Sequence, residues 1–373
     1  MCRVENIFKK LLPRRGGSGL GIEITQDQIT VAQLVRRAGQ QYDLKHLVSA
    51  PTPPGAVVEG RVEDTAAVSA ILQDLFQSNN IKAKQVATAI PTREAVIRLI
   101  PLPADLQAAE LREVVLNQEA ELYLPFPRNE AYVDYQPLEE VVDPDGVRRQ
   151  EVLLTAAPRS IVESYIQAIE QADLTPQVVD ISSFALIRAV RSKLLEFSPE
   201  EALALVVIQA EATELSILVK GIPRFTRTIP IGTWEFKETL SRALDLPPGQ
   251  AASLLQSLTP PLSSQGKGNT DDQSFSGRGQ AALRRILTEL TEEIQRSLDF
   301  YLSQGEVAPL SQLLLAGPGA TMNQMDQYLS QRLNLPATRL DPVSILALPD
   351  NIAVAEEIRP SIGTVLGLGL RNL

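Results

Sequence analysis

A pair of glycines late in the chain is the first place where the sequence indicates ligand chemistry. Residues 313–316 are a short apolar run typical of a buried strand, and Gly317-Pro318-Gly319 separates this run from the next helical segment. A strand that ends in glycines and opens a helix brings backbone N–H groups to a position that a phosphate or nucleotide can approach. Gly317 and Gly319 are therefore candidate ligand contacts. A tight turn that only connects strand and helix is the alternative, and without further context the pattern favours it.

Side chains that bind transition metals are scarce. The chain has a single histidine, His46, and a single cysteine, Cys2. Zinc, copper and iron take most of their nitrogen and sulfur ligands from these residue types, so we expect no site for these metals. A single cysteine also excludes an internal disulfide, which is typical of proteins that fold in a reducing compartment.

The charge balance argues against nucleic acid as a partner. Lys and Arg total 35 and Asp and Glu total 45, so the net charge is −10, and such a surface repels phosphate backbones. No segment approaches the roughly 18 consecutive apolar residues of a membrane helix. We therefore expect a cytoplasmic protein.

Residues 1–17 form a basic N-terminal tail. Within it, residues 7–15 mix bulky apolar side chains with cations, a composition that suits an anionic membrane surface. A frayed tail is the alternative, and Pro13 favours it because proline shortens any helix.

One succession of elements occurs twice along the chain. Three β-type runs within residues 20–47 precede a helix that begins at Asp64 or Thr65. Three further runs within residues 203–229 again precede a helical segment. Two copies of three antiparallel strands followed by a helix predict a duplicated α/β fold with a cleft between the copies. Clefts of this kind commonly hold ligands.

Two segments do not follow the repeat. Residues 86–159 contain predicted strands and an amphipathic helix over residues 106–124, with prolines at the element ends, and indicate an inserted α+β subdomain. Residues 260–279 are rich in Ser, Gln, Gly and Asp without periodicity, which predicts a mobile loop. Residues 283–301 then keep helical spacing for about six turns.

Together these features resemble the actin-like nucleotide-binding superfamily, and the place of the insertion resembles its FtsA and PilM families. Three segments are similar to the PilM family in particular: Gln118–Pro127 (QEAELYLPFP), Val179–Leu186 (VDISSFAL) and Glu293–Tyr301 (EIQRSLDFY). The likeness covers residues 18–373, nearly the whole chain.

The resemblance implies a two-lobed actin-like (RNase H-like) fold with an inserted α+β subdomain in the first lobe. Lobe I is expected to comprise residues 18–85, 160–200 and 340–373. Lobe II is expected to comprise residues 201–339, and the insertion residues 86–159.

The resemblance also implies a function. PilM-like proteins are cytoplasmic scaffolds, peripheral at the inner membrane, that hold the N-terminal cytoplasmic peptide of the membrane protein PilN in a groove between the first lobe and the insertion. Such a scaffold couples the type IV pilus platform to the motor components, and ATP with Mg²⁺ is the ligand implied for the cleft. Recruitment, and not turnover, is the expected activity.

The phosphate loops depart from the family pattern. The family carries an Asp, a Gly two positions later and a Lys further on in its first loop, whereas this chain has Glu23, Thr25 and Thr30. In the second loop, the expected Asp-x-Gly is replaced by Ile208-Gln209-Ala210, which removes an anchor for hydrated Mg²⁺. Glu23, Thr25, Gly317 and Gly319 remain the candidate nucleotide contacts. Because phosphoryl transfer depends on metal and donor positioning, we expect binding without hydrolysis, or no binding.

The first PilM-like segment supplies candidate groove residues. Tyr123, Pro125, Phe126 and Pro127 can line a groove for an apolar peptide. The alternative is a turn that ends the helix, in which Phe126 fills the core of the insertion. The sequence leaves both possibilities open.

Four other functions are alternatives. An active ATPase or a sugar kinase requires intact phosphate loops. An FtsA-like division protein calls for a C-terminal membrane-targeting helix, and a GspL-like secretion protein calls for a membrane span; neither is expected from this sequence.

Overall fold

The structure is a computed structural model that describes residues 18–37, 41–142, 146–247, 249–250, 254–255, 260, 275–305, 307–349 and 352–373. The chain divides into two compact units. Unit 1 is Met1–Ala189 with Leu348–Ile352 and Thr364–Leu373, and unit 2 is Val190–Ala347 with Ala353–Gly363.

The described part of unit 1 is built around a five-stranded sheet of order β10-β6-β1-β2-β3. Strands β1, β2 and β3 are antiparallel neighbours, and β6 pairs in parallel with both β1 and β10. The strands of this sheet are β1 Ser18–Ile24, β2 Gln28–Arg36, β3 Tyr42–Pro51, β6 Gln85–Ile90 and β10 Thr175–Ile181. A small ribbon is formed by β4 Val57–Val58 and β5 Arg61–Val62.

Alternation along β6 shows how both faces of this sheet are covered. Val86 and Ile90 belong to the large core on one face, while Ala87 and Ala89 belong to a smaller cluster on the other. Helices α1 and α4 contribute to the first core, and α5 contributes Ala185 to the second. Asp64 caps α1 by accepting a hydrogen bond from the Ala67 amide at 2.9 Å. These helices are α1 Thr65–Ser78, α4 Arg159–Gln171 and α5 Ser182–Ala189.

The C-terminal helix α11, Gly363–Gly369, returns to β1 of unit 1. Glycines make this approach possible, because a Cβ on Gly21 would meet the Val365 carbonyl oxygen and a Cβ on Gly367 would meet the Ala185 carbonyl oxygen. Backbone therefore packs directly on backbone at both places.

The insertion was predicted over residues 86–159, but β6 Gln85–Ile90 pairs with β1 and β10 in the main sheet of unit 1. The insertion begins after it and is a three-stranded antiparallel sheet of order β7-β9-β8 with a helical segment packed on it. Its core contains Leu111, Val115 and Ala120 from the helical segment, packed with Ile100 and Leu154 from the sheet. The elements are β7 Val96–Pro103, α2 Ala108–Val114, a π-helical turn Val115–Glu119, α3 Ala120–Tyr123, β8 Ala131–Val142 and β9 Arg148–Pro158.

Unit 2 is also built around a five-stranded sheet. In its described residues this sheet has the order β13-β12-β11-β14-β15, again with three antiparallel strands and two parallel additions. Helices α7 and α8 pack in its core through Phe236, Leu240, Leu287, Leu290 and Ile294. The strands are β11 Ala202–Ile208, β12 Thr213–Val219, β13 Ile222–Ile229, β14 Leu310–Ala316 and β15 Ala337–Arg339. The helices are α6 Arg191–Leu194, α7 Thr233–Leu244, α8 Phe275–Leu302, α9 Met325–Leu333 and α10 Pro342–Ile345.

The structure confirms one sequence prediction, corrects a second and leaves two others wholly or partly outside the described residues. The repeated strand-strand-strand-helix pattern is confirmed in both units. Residues 106–124 were expected as one regular helix, but a π-helical turn interrupts it. The predicted loop 260–279 is described in part: residues 261–274 lie outside the described residues, and residues 275–279 already belong to α8. The basic tail 1–17 also lies outside them.

Candidate functional site

The segment predicted as the first phosphate loop is the hairpin turn between β1 and β2 in unit 1. Glu23 on β1 lies opposite Thr30 on β2, and Thr25 opens the turn. The Thr25 amide and hydroxyl both donate to the Gln28 carbonyl at 2.9 Å. The Thr25 carbonyl accepts from the Thr52 hydroxyl at 2.7 Å. The polar groups of Thr25 are thus engaged in closing the turn and tying it to the end of β3.

The second loop connects β11 and β12 in unit 2. β11 ends at Ile208, and Gln209 donates its amide to the Ala212 carbonyl at 3.0 Å. Gln209 and Ala210 also accept the amides of Thr233 and Trp234, both at 2.9 Å. The loop therefore caps the start of α7 with its own carbonyl groups.

The third loop, Gly317–Gly319, lies against the second. Gly317 has a φ of +84°, and a Cβ there would lie 2.6 Å from the Ile208 carbonyl oxygen. A Cβ on Gly319 would meet the Ile208 side chain. The Gly317 amide donates to the Pro360 carbonyl at 2.9 Å, and Pro318 has no N–H to offer. Internal packing and backbone conformation thus account for both glycines.

The four predicted nucleotide contacts are divided between the units. Glu23 and Thr25 lie in the unit 1 hairpin, while Gly317 and Gly319 lie together in unit 2 beside Ile208. Across the residues that the structure describes, no group of three or more His, Cys, Asp or Glu side chains is arranged to hold a metal ion.

The predicted groove residues lie at the end of the helical segment of the insertion. Tyr123 is the last residue of α3, and Pro125, Phe126 and Pro127 form the following turn. Leu124 packs against the core of the insertion, whereas Phe126 is half-buried and lies outside that core cluster. Leu122 is 75% exposed, the highest value among the large apolar side chains described. We define the insertion surface as Leu122, Tyr123, Pro125, Phe126 and Pro127.

Arg128 links the insertion surface to the π-helical turn. Its Nε donates to the Leu116 carbonyl at 2.8 Å, and its Nη1 donates to the Ala131 carbonyl at 3.4 Å. Arg128 itself begins a 3₁₀ turn, Arg128–Glu130, directly after Pro127. One guanidinium thereby joins the helix, the turn and the start of β8.

Arg159 fixes the other end of the same turn. Its Nε donates to the Asn129 carbonyl at 2.9 Å, and its guanidinium stacks 4.2 Å from the centre of the Tyr132 ring. Partial burial, together with the Glu163 carboxylate, raises the pKa of Tyr132. The Tyr132 hydroxyl therefore stays protonated and donates to Glu163 at 3.2 Å. These contacts tie the insertion to α4.

The second PilM-like segment contains a buried ion pair. The Asp180 side chain is fully buried, its Oδ2 accepts from Arg188 at 2.7 Å, and the Arg371 Nε lies 3.9 Å away. Arg188 also donates to the Gly367 carbonyl at 3.1 Å. Burial lowers the pKa of Arg371, and the Asp180 charge opposes this shift. The segment thus anchors the C-terminal helix to unit 1.

Sequence reasoning missed Leu122, Arg128 and Arg159. Leu122 was hidden because its spacing from Leu111 and Val115 fits a buried helical face. The arginines act on backbone carbonyls that become available only after the chain has folded, since Arg128 reaches twelve residues back.

Both the sequence and the structure are similar to those of known proteins. Residues 21–267 match the sequence family described as type IV pilus assembly protein PilM. The solved "PilM-PilN type IV pilus biogenesis complex" has a chain that is 28% identical, with a TM-score of 0.80, over 96% of this chain and 99% of that one.

A more distant likeness supports the fold alone. The ethanolamine utilization protein EutJ from Carboxydothermus hydrogenoformans is 14% identical with a TM-score of 0.53, over 96% of this chain and 91% of its own. The predicted actin-like fold is confirmed by these likenesses and by the two sheets. No helix in the described part of the chain combines the length and apolar character needed to cross a membrane. Since the family match covers well over half of the chain, the protein belongs to the PilM family of type IV pilus assembly proteins.

Proposed function

We propose that this protein is a scaffold of the type IV pilus assembly platform that binds the N-terminal cytoplasmic peptide of a PilN-like membrane protein. The observation that carries the proposal is the full-length likeness to a PilM-PilN complex, with a TM-score of 0.80. Tyr123, Pro125, Phe126 and Pro127 are the proposed peptide contacts, and Leu122 joins them because of its exposure.

The chemistry of the insertion surface favours a particular kind of peptide. Apolar side chains are presented at positions 122, 123 and 125–127, and Glu119, Glu121 and Glu130 flank them in the sequence. An apolar peptide segment with basic neighbours complements this arrangement, since its side chains are desolvated on the surface while its cations face the carboxylates. Binding should therefore weaken as the salt concentration rises.

Titration calorimetry tests this proposal. The probe is a synthetic peptide with the N-terminal cytoplasmic sequence of the PilN homologue from the same genome, and a peptide of the same composition in scrambled order is the control. We expect heat for the first peptide only. Phe126→Asp should abolish the heat while the circular dichroism spectrum is unchanged, because Phe126 lies outside the core of the insertion. Equal heats for the two peptides would contradict the proposal.

We further propose that the nucleotide site is degenerate and that ATP is not hydrolysed. Several features support this: Thr25 is engaged in its own turn, Ile208-Gln209-Ala210 stands where the family carries Asp-x-Gly, and the Gly317 amide donates to the Pro360 carbonyl. Few groups of these loops are left to position phosphates and Mg²⁺.

A phosphate-release assay with Mg²⁺ and ATP examines the second proposal. We expect no release above the protein-free blank, and binding of a fluorescent ATP analogue reports separately whether nucleotide is held at all. Release that disappears in a Glu23→Gln variant would show a working ATPase.

In the cell, the scaffold would be held at the inner membrane through its partner and would join the platform to the motor components. We expect the protein to co-sediment with membranes when the PilN homologue is present and to remain in the supernatant when it is deleted. Loss of the gene should remove surface pili and twitching motility. Membrane sedimentation that is independent of PilN would contradict this route of attachment.

A further inference from the structure

We infer that Arg128 is the positioning residue of the insertion surface: it holds the helical segment 108–123 in the widened register that exposes Leu122. The inference rests on the proposed function, because it concerns the same surface.

The register of this helical segment changes at the π-helical turn Val115–Glu119. Here the Ala120 amide donates to the Val115 carbonyl, five residues back instead of four. A π-helical turn accommodates one extra residue in an otherwise α-helical segment. Each residue of an α-helix turns the chain by about 100°. Without the widened turn, the residues that follow it would therefore be rotated by about 100° relative to α2.

The competing α-helical register would place different side chains on the core. Leu111 and Val115 are buried, and in a regular helix that continues from them, Gln118 and Leu122 would follow on the same face. In the structure, Ala120 is fully buried and Leu122 is exposed. The widened turn thus exposes a leucine that the α-helical register would bury. Burial of Leu122 favours the α-helical register, whereas Leu124 packs against the core in the widened one. A contact made within the widened turn can therefore decide between the two registers.

Arg128 has the geometry for this task. The Leu116 carbonyl lies within the widened turn and accepts the Arg128 Nε at 2.8 Å. A charged donor makes a stronger hydrogen bond to a carbonyl than a neutral one, and a side chain that inserts into the helical hydrogen-bond ladder is a known cause of such irregular turns. The second contact, to the Ala131 carbonyl, ties the guanidinium to β8.

Cysteine labelling tests the register without any partner. Cys2 is the only cysteine, so the variant Cys2→Ser/Leu122→Cys carries one thiol, at the position in question. The thiol should react rapidly with a maleimide. Adding Arg128→Met should slow labelling by about tenfold or more, because the thiol then faces the core. Arg112→Met is the matched control: it removes an exposed arginine of the same helical segment and should leave the rate unchanged.

A deletion variant tests whether Arg128 acts through the helical register or only stabilises the insertion. Asn117 is an exposed residue of the widened turn, and deleting it removes the extra residue. The segment can then form a regular α-helix in which residue 122 still lies on the exposed face, so the contact of Arg128 is no longer needed. The Asn117 deletion combined with Arg128→Met should restore fast labelling. Arg128→Lys keeps one donor, should give an intermediate rate, and provides a second variant if Arg128→Met does not fold.

Peptide affinity in the wild-type Leu122 background gives the functional readout. With the PilN-homologue peptide, Arg128→Met should raise Kd by about tenfold or more, and the added deletion of Asn117 should recover most of the affinity. Unchanged labelling in Arg128→Met, or no recovery in the double variant, would overturn the inference. If wild-type protein binds no peptide while labelling follows the expected pattern, the proposed function fails and the positioning role of Arg128 stands.

Discussion

Truncation of Leu122 to alanine is the sharpest single test of the insertion surface. Leu122 is 75% exposed in the free protein, so its side chain contributes little to the fold and has most of its apolar area available to a partner. Complete burial of a leucine side chain stabilises by about 1.5–3 kcal/mol. Three-quarters of that range is about 1–2 kcal/mol, which corresponds to a rise in Kd of roughly 6- to 30-fold.

Titration calorimetry with the PilN-homologue peptide measures this change, and urea unfolding checks the fold. Leu122→Ala should alter the free energy of unfolding by less than about 0.5 kcal/mol, as expected for an exposed site. Leu195→Ala is the matched control, since Leu195 is 66% exposed and belongs to unit 2. If Leu122→Ala leaves Kd unchanged, or if both variants weaken binding equally, the assignment of the peptide to the insertion surface is refuted.

Three further predictions concern stability and titration. Asp180→Asn should lower the free energy of unfolding by about 3–5 kcal/mol because it breaks a buried ion pair. The control Asp173→Asn, at an exposed ion pair, should lower it by less than about 1 kcal/mol. Similar losses for the two variants in urea unfolding would contradict this prediction. Gly317→Ala should cost about 1–3 kcal/mol for its φ of +84° plus a further loss from the contact with Ile208. Gly305 has a φ of +97° and open space around it, so Gly305→Ala measures the cost of the backbone conformation alone. Equal losses of unfolding free energy in the two variants would show that the contact with Ile208 adds nothing at Gly317. Partial burial, followed by the charge of Lys45, lowers the pKa of His46 from 6.5. Its NMR titration midpoint should lie below 6.5 in the folded protein and rise in urea. Because the unfolded chain then binds the proton more tightly, the contribution of His46 to the stability of the fold is fully present above pH 6.5 and is lost as the pH falls below it. A titration midpoint above 6.5 in the folded protein would contradict the lowered pKa.

Local patterns were sufficient to predict much of the fold. Short apolar runs predicted four strands of each five-stranded sheet, whereas β10 and β15 were not predicted. Asp64 was correctly named as one of two possible caps of α1, because a cap and its helix lie within a few residues of each other. Segments resembling a known family then supplied the actin-like fold, which was confirmed.

The features that escaped prediction depend on contacts between distant segments. Residues 106–124 carry a regular helical pattern, and the widened turn in the structure lies where Arg128 contacts Leu116 from a later turn. Gly317 shows the same limit for a candidate site. Its sequence pattern left a ligand contact and a tight turn as alternatives, and its amide donates to the Pro360 carbonyl, a partner that no local window contains. The nucleotide and groove residues remain predictions.

The return of α11 to β1 has a consequence for synthesis on the ribosome. Residues 364–373 complete unit 1, yet they are translated after all of unit 2. Until they emerge, the backbone of Gly19 and Gly21 and the alanines of β6 lack the helix that covers them. The last strand of unit 2 ends at Arg339, so the sheet of unit 2 can form while unit 1 still lacks residues 364–373. Synthesis from the N-terminus thus allows the sheet of the second copy to form before the first copy is covered.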